Sequence, residues 1–338
     1  MKKPLAIIWN DVHLKTGNEK EILTATRYMI EKALELGIKR TIFAGDLFHS
    51  RIHQRQEVLE TFDKMLYELN AAEIHTDIIS GNHDKTEYKS FDSFLDVYRH
   101  FPNVTYHREV SDIEIDGVGI TLLPFFDDTM LVPMINEHKG NDILISHFEM
   151  QGSTHLGNVS EKKNITRKML KKWDKTYLGH YHNWHEITKD IVHLPSFIQD
   201  NFGEDSKKGF SILYDDGSYE LIQGKFKIFE KIQIDVDDVG VVELDKIIKS
   251  YEDSENVIRF EITGSESKMK SIDKTKYRGV DIKLSFEKVY EESDTSERQV
   301  VQKYEKEDIQ NLFLKFCEDK GLSHKEGGVI LDNFLNKD

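Results

Sequence analysis

A single cysteine, Cys317, stands among 338 residues. That excludes an internal disulfide framework, fits a reducing compartment and takes thiolates out of any metal site. Cys317 falls in a helical pattern with Leu312, Phe313 and Phe316 and reads as packing. Long apolar runs are missing as well. No stretch approaches the roughly 18 residues of a membrane span. Leu5 to Trp9, behind Lys2 and Lys3, is cut off by Asn10-Asp11, which is too short for a signal peptide. The sequons at Asn158 and Asn164 mean nothing without secretion. Positive charge is also scarce: 46 Lys and Arg face 61 Asp and Glu, a formal net charge of −15. This argues against a general basic wrapper for nucleic acid. It leaves room for an enzyme whose metals neutralise phosphate locally, or whose partner supplies basic surface.

The 38% hydrophobic and 10% aromatic content suits a globular protein with one large domain and one or two smaller ones. Leu5–Trp9 reads as a buried strand. Asn18 can cap a helix over residues 19–36, with Ile22, Ala25, Met29, Ala33 and Leu36 at helical spacing and Gly37 as its stop. Arg40–Ala44 is the next strand, residues 54–70 a helix on Val58, Phe62, Met65, Leu66 and Leu69, and His75–Ser80 a third strand. The pattern then turns β-rich. A hairpin is expected about Asp116-Gly117, then strands at Asp142–Ser146, Tyr177-Leu178, Ile187–Leu194 and Phe210–Ile222, the last turning at Asp215-Asp216-Gly217. This order predicts an α/β fold, a two-layered β-sheet core flanked by helices. From residue 225 a small α/β unit follows: an alternating run Lys225–Val236, a helix over 242–250 and a strand Asn256–Thr263. Residues 264–300 are polar and charged, with Val280–Phe286 as one more candidate strand. Tyr304–Glu318 and Lys325–Leu335 read as amphipathic helices, a C-terminal helical segment.

Five polar islands carry the chemistry: Asp11-Val12-His13, Gly45-Asp46-Leu47-Phe48-His49, Gly81-Asn82-His83-Asp84, Ser146-His147 and Gly179-His180-Tyr181-His182. Most follow a run of β-formers. In open α/β sheets, ligands gather beyond the carboxyl ends of strands, so the islands are expected on one rim. Together they offer enough oxygen and nitrogen donors for two adjacent divalent metals. Such a pair clamps the attacking and leaving oxygens of an in-line displacement at phosphorus, and needs at least one shared carboxylate. Asp11 and His13 stand two apart, so an extended backbone would aim both the same way, and His180 and His182 repeat the spacing. Asp46 follows a glycine, which permits close backbone approach, and Asn82 adds a neutral amide oxygen. This donor set suits manganese, iron or zinc better than calcium. Taken singly, Asp-x-His is ordinary surface or capping chemistry and Gly-Asp is a turn. All five in order, each where a strand ends, point to a metal-dependent phosphoesterase.

In content and order these motifs resemble the calcineurin-like metallophosphoesterase superfamily, over roughly residues 5–215. The resemblance implies one metal held by Asp11, His13, Asp46 and His182. It implies a second held by Asp46, Asn82, His147 and His180, with Asp46 bridging. It implies His83 near the scissile phosphate as general acid or transition-state stabiliser, a metal-activated water as nucleophile, and Asp84 as the carboxylate that orients His83. The protein-phosphatase branch is disfavoured by His49-Ser50-Arg51 and by Asp84. Gly45-Asp46-Leu47-Phe48-His49 looks like the SbcD-type nuclease branch instead, in which the residue matching His49 assists the reaction. Leu194-Pro195-Ser196, Phe202-Gly203-Glu204 and Lys208-Gly209-Phe210 resemble that branch's Pro-Gly-Ser, Glu and Lys-Gly-Phe pattern, although the usual Gly before Ser196 is absent. His185 is a further departure, open between a contact behind the ligands and plain surface.

The layout resembles that branch too. It implies a nuclease domain over 1–222, a DNA-contacting capping domain over 225–290, and a linker with C-terminal helices over 291–338. Those helices would dock an SbcC/Rad-type SMC-like ATPase, or else pack on the parent domain. Length and lean layout are similar to the recombination endonuclease subunits of T-even-like phages. Two divalent ions are expected, Mn2+ first, with Mg2+, Zn2+ or Fe2+ as alternatives. The expected substrate is DNA, at duplex ends and in single strands. A homodimer within a heterotetramer, in the cytoplasm of a bacterium or phage-infected host cell, follows by resemblance. Lys162, Lys163, Arg167, Lys168, Lys171 and Lys172, with Trp173, read either as a DNA-contacting patch or as a solvated helix face. Two other readings remain: a small-molecule phosphodiesterase acting on cyclic nucleotides, and a scaffold that kept the fold and lost the chemistry.

Overall fold

A computed structural model describes residues 2–155, 158–159, 163–277 and 279–284. The chain opens with strand β1 (Pro4–Trp9), helix α1 (Glu19–Leu36), β2 (Arg40–Ala44), α2 (Gln56–Ala71) and β3 (His75–Ile79). Then come β4 (Val104–His107), the hairpin β5 (Ser111–Ile115) and β6 (Val118–Leu123), α3 (Asp128–Glu137) and β7 (Ile143–Ser146). A two-residue ribbon, β8 (Thr154–His155) and β9 (Asn158–Val159), precedes α4 (Arg167–Leu170) and β10 (Lys175–Leu178). β11 (His185–Thr188), β12 (Ile191–His193), β13 (Gly209–Tyr214) and β14 (Tyr219–Gln223) complete the larger part.

Two six-stranded sheets result, ordered β14-β13-β1-β2-β3-β4 and β11-β12-β10-β7-β6-β5. Alternation decides which face meets what. In β1, Ile7 and Trp9 pack beneath α1 and α2, whereas Ala6 and Ile8 face Ile120, Ile143, Ile145 and Tyr177 of the second sheet. Val58, Phe62, Met65 and Leu69 give α2 its buried stripe, and Ile22, Ala25, Met29 and Ala33 give α1 its own. α3 and α4 cover the outside of the second sheet through Leu131, Ile135 and Leu170. The molecule is therefore the expected two-layered sheet core between helices.

Three details differ from the expectation. The segment expected as one strand over Ile187–Leu194 is the hairpin β11–β12. Asn18 sits at the N-cap of α1 but does not cap it. Its amide turns back to the Lys15 N–H (2.9 Å) and the His13 carbonyl (3.1 Å), bracing a site loop instead. α3 and β4 carry no strong local period and emerge only with tertiary packing.

A third sheet, wholly parallel, comprises β15 (Phe229–Asp235), β16 (Val257–Thr263) and β17 (Val280–Leu284), with α5 (Val236–Val239), α6 (Val241–Lys249) and α7 (Glu266–Lys270) between strands. Leu244, Ile248, Ile258, Phe260 and Ile262 form its own core. Gln199 holds its first strand by both backbone groups of Phe229 (2.8 and 3.3 Å), and the Arg259 guanidinium lies 4.0 Å from the Phe202 ring centre. The helices expected at Tyr304–Glu318 and Lys325–Leu335, and Lys162, lie outside the described residues.

Candidate metal centre

β1, β2 and β3 of one sheet and β7 and β10 of the other all end at one rim. Asp11 and His13 follow β1, Asp46 and His49 follow β2, Asn82 and His83 follow β3, His147 follows β7, and His180 and His182 follow β10. The seven expected ligands converge there from distant parts of the sequence.

Asp11 Oδ1 lies 3.8 Å from His13 Nε2 and 3.7 Å from His182 Nε2. The two imidazole nitrogens stand 2.9 Å apart, and Asp46 Oδ2 is 3.7 Å from His13 Nε2. The same Asp46 oxygen is 3.2 Å from His147 Nε2, which is 3.2 Å from Asn82 Oδ1, itself 2.9 Å from His180 Nδ1. Donors about 2.0–2.2 Å from a common ion stand roughly 3–3.6 Å from one another. The second cluster, at 2.9–3.2 Å, keeps close to that spacing, the first is slightly wider at 2.9–3.8 Å, and Asp46 Oδ2 belongs to both. The residues present therefore fit two divalent ions sharing one carboxylate.

Charge and strain agree with that fit. Burial opposes ionisation of Asp11 and Asp46, yet the surrounding imidazoles, His147 foremost, hold both carboxyls well below the usual range. Burial likewise disfavours a charged His147, but Asp46 and Asp11 raise it to about 9. Such a buried stack of carboxylates and imidazoles calls for cations at its centre. Asp11 (φ 50°), His13 (47°), Asp46 (57°) and His180 (85°) all adopt the left-handed backbone region, which costs on the order of 1 kcal/mol each and clusters at working sites. This corrects the extended geometry expected for Asp-x-His and His-x-His: the loops curl, and the curl aims both side chains inward. At Gly81 a Cβ would lie 2.2 Å from Asp46 Oδ1, and at Gly45 2.6 Å from His147 Nδ1, so a side chain at either would enter the cluster.

Backbone and side-chain partners fix which nitrogen each histidine presents. His147 Nδ1 donates to the Ala44 carbonyl (2.9 Å), leaving Nε2 for the centre. His182 Nδ1 bonds Glu204 Oε1 (2.6 Å) and likewise presents Nε2. Asp11 Oδ2 accepts from Asn10 Nδ2 (2.5 Å) and the His180 N–H (3.0 Å). The pieces of the Pro-Ser, Glu and Lys-Gly-Phe pattern share one purpose. Ser196 N–H (2.9 Å) and the fully buried Lys208 Nζ (2.7 Å) both donate to the His182 carbonyl, while Glu204 takes its ring. Glu204 and Lys208 were visible in the sequence as a pattern, without a task. His193 was not visible at all: it holds the Gly179 carbonyl (2.9 Å) just ahead of His180.

His83 falls within 4.8 Å of His13 and Asp46 as a third potential ligand group. Both its nitrogens are engaged elsewhere, Nδ1 with the His49 carbonyl (2.8 Å) and Nε2 with Arg51 Nη2 (2.7 Å). It is therefore a histidine beside the ligands and outside their set. Burial and neighbouring cations bring it down to about 4, against the pull of Asp46. Asp84 does not touch the His83 ring, contrary to expectation. Its carboxylate accepts four backbone N–H groups, from Asp46, Leu47, Phe48 and Gly81, at 2.8–3.1 Å. Burial and Asp46 push Asp84 up to about 7, but all four of these partners are donors and none can accept a carboxyl proton. Asp84 ties the Asp46 loop to the Gly81 loop. His49 is half exposed, with Nδ1 3.9 Å from Asp200, and borders a cleft of about 390 Å³ lined by Lys15, Thr16, His53, Gln54 and Arg55.

The basic run is not one patch. Lys163 pairs with Glu149, Lys172 caps α3 by bonding the carbonyls of Ile135 and His138, and Trp173 is buried, its Nε1 on Thr121. Arg167, Lys168 and Lys171 remain exposed. His185 contacts the Gly152 carbonyl (3.1 Å).

No family model and no curated protein matches the chain. Among solved structures, the chain is similar to the nuclease MPE of Pseudomonas putida, at 13% identity, over 65% of this chain and 87% of that one, with a TM-score of 0.33. Among the described residues no helix is long and apolar enough to cross a membrane.

Proposed function

We propose that this protein is a two-metal phosphodiesterase acting on DNA, a nuclease subunit of SbcD type. One observation carries the reading: two four-donor clusters share Asp46 Oδ2, with an unligated histidine, His83, alongside them. When bound, a pair of divalent ions supplies Lewis acidity to phosphoryl oxygens and lowers the pKa of water to near neutrality. The chain's own residues do the rest. Asp46 and Asp11 set the charge of the site, and Glu204 and the Ala44 carbonyl fix the presenting nitrogens. His83 stands at the open edge, where the oxygens of a phosphate would lie. The mixed nitrogen and oxygen donors suit manganese, iron or zinc over calcium, and the SbcD-type reading puts Mn2+ first, with Mg2+, Zn2+ or Fe2+ as substitutes.

Substrate size supports the nuclease reading over a small-molecule one. The site lies on an open rim, and the cleft beyond His49, lined by Lys15, His53 and Arg55, extends it with room for a strand that continues past the scissile bond. A net charge of −15 fits a subunit that engages DNA together with a partner. That partner is proposed to be an SbcC/Rad-type SMC-like ATPase docked by residues 291–338, within a heterotetramer and on the pattern of the phage recombination endonucleases.

The deciding experiment incubates the purified chain with Mn2+ and end-labelled linear duplex, beside His83→Ala. Cleavage by the wild type alone supports the nuclease. Turnover of bis(p-nitrophenyl) phosphate without DNA cleavage, unchanged on deleting residues 300–338, would favour a small-molecule enzyme. A metal-free chain whose His83→Ala variant changes nothing in the partner complex would leave only a scaffold.

A further inference from the structure

The loop after β2 carries an arginine for which the ligand scheme has no task. Arg51 is exposed, yet its guanidinium is held at two points. Nη1 donates to the Tyr88 hydroxyl (2.6 Å) and Nη2 to His83 Nε2 (2.7 Å). Neither anchor is loose. The Tyr88 ring meets Phe125 edge-on at 5.1 Å, and the Asp127 N–H donates to the Tyr88 carbonyl (3.2 Å). His83 is pinned through Nδ1 to the His49 carbonyl, and its ring meets that of His13 edge-on at 4.7 Å.

Both anchors are neutral acceptors. In a chain with 61 carboxylate side chains, the Arg51 charge makes no ion pair among the described residues. A guanidinium is usually satisfied by a carboxylate or a phosphate, in a planar two-pronged contact. Here a cation with no carboxylate partner among the described residues sits one side chain away from the metal cluster, and the nitrogen it covers is the one His83 would turn to a phosphoryl oxygen.

We propose that Arg51 is the residue that takes the substrate phosphate. It leaves His83 Nε2 for a non-bridging phosphodiester oxygen and uncovers His83 as it does so. Tyr88 is the positioning residue, keeping the guanidinium at the rim through the exchange. The proposal rests on the phosphodiesterase reading and adds how the site recognises an anionic diester before the chemistry.

The test compares wild type, R51A and R51K, each checked for unchanged metal content and melting temperature. kcat and KM are measured separately in Mn2+ on bis(p-nitrophenyl) phosphate and on a single-stranded oligonucleotide. Binding of a fluorescent oligonucleotide is followed against salt in EDTA, where nothing is cut. Losing a charge-assisted contact is worth roughly 10- to 100-fold in kcat/KM. R51A is expected to lose that much, and R51K to recover a part, since an ammonium restores charge without the fork. The slope of log K against log salt should fall by about 0.7 in R51A, one phosphate fewer on a single strand. Wild-type kcat/KM and slope in R51A, with the wild type active, overturn the proposal and leave the phosphodiesterase standing. A loss of kcat/KM with an unchanged slope also overturns it, since Arg51 would then only hold His83. No turnover of either substrate by the wild type removes the underlying reading, and this proposal with it.

Discussion

At the scale of single residues, position relative to the shared carboxylate separates one role from another. Asp46 Oδ2 stands in both donor clusters, whereas both nitrogens of His83 are occupied outside them. Asp46→Asn is therefore expected to lose bound metal, and His83→Ala to keep it while cleavage falls roughly 10²- to 10⁴-fold. Elemental analysis beside turnover separates the two, and equal activity in His83→Ala would sink the assignment. Glu204 acts one bond further out, through His182 Nδ1 at 2.6 Å. Glu204→Gln should weaken metal affinity about 10- to 100-fold with little change in unfolding midpoint of the metal-free protein. A metal titration of the purified variant reads this directly. Asp84 shows why a residue's neighbours in sequence mislead. It adjoins His83, but its oxygens face four backbone N–H groups, one from its own loop and three from the loop after β2.

At the scale of elements, the strands of the first sheet are fastened by a buried carboxylate in β3. Asp77 accepts from Arg40 Nε of β2 (2.6 Å) and from His107 Nε2 of β4 (2.8 Å). Burial raises Asp77, but the bonds from His107 and Arg40 outweigh it and hold the carboxyl below its ordinary value. A depressed carboxyl stabilises the fold above its unfolded pKa of about 3.9, and that share is lost as pH falls through the folded value. Wild type should thus lose more stability between pH 5 and pH 3 than Asp77→Ala does. At pH 7, Asp77→Ala should be less stable by roughly 3–5 kcal/mol, because it leaves buried donors unpaired. Urea unfolding at the three pH values gives both numbers, and parallel pH curves for the two proteins would refute the role. The elements legible in sequence were those with a strong period of their own, such as α1, α2 and β1. α3 and β4 lacked one, and Ile187–Leu194 hid a reversal within one apolar run.

For the molecule as a whole, the candidate metal centre draws its donors from both sheets. Asp11, Asp46 and Asn82 come from one, and His147, His180 and His182 from the other. Ligand that binds only the folded state stabilises by about 2.7 kcal/mol at a hundredfold excess over Kd. Manganese is accordingly expected to raise the melting temperature by several degrees and EDTA to reverse it, with no response in Asp46→Asn. A melting curve indifferent to metal in the wild type would count against a centre that spans the sheets.

The sequence by itself determined the layered α/β architecture and marked out the islands of candidate donors. Strand period and donor chemistry are local properties, written in runs of a few residues. Tertiary structure alone decided how those donors meet. His13 and His182 are 169 residues apart in sequence and 2.9 Å apart in space. The left-handed turns that aim Asp11 and His13, the backbone duty of Asp84, the burial of Trp173 and the grip of Arg51 on His83 all depend on which loops the closed sheets bring side by side. Such contacts are set by packing between distant segments, and no local pattern encodes them.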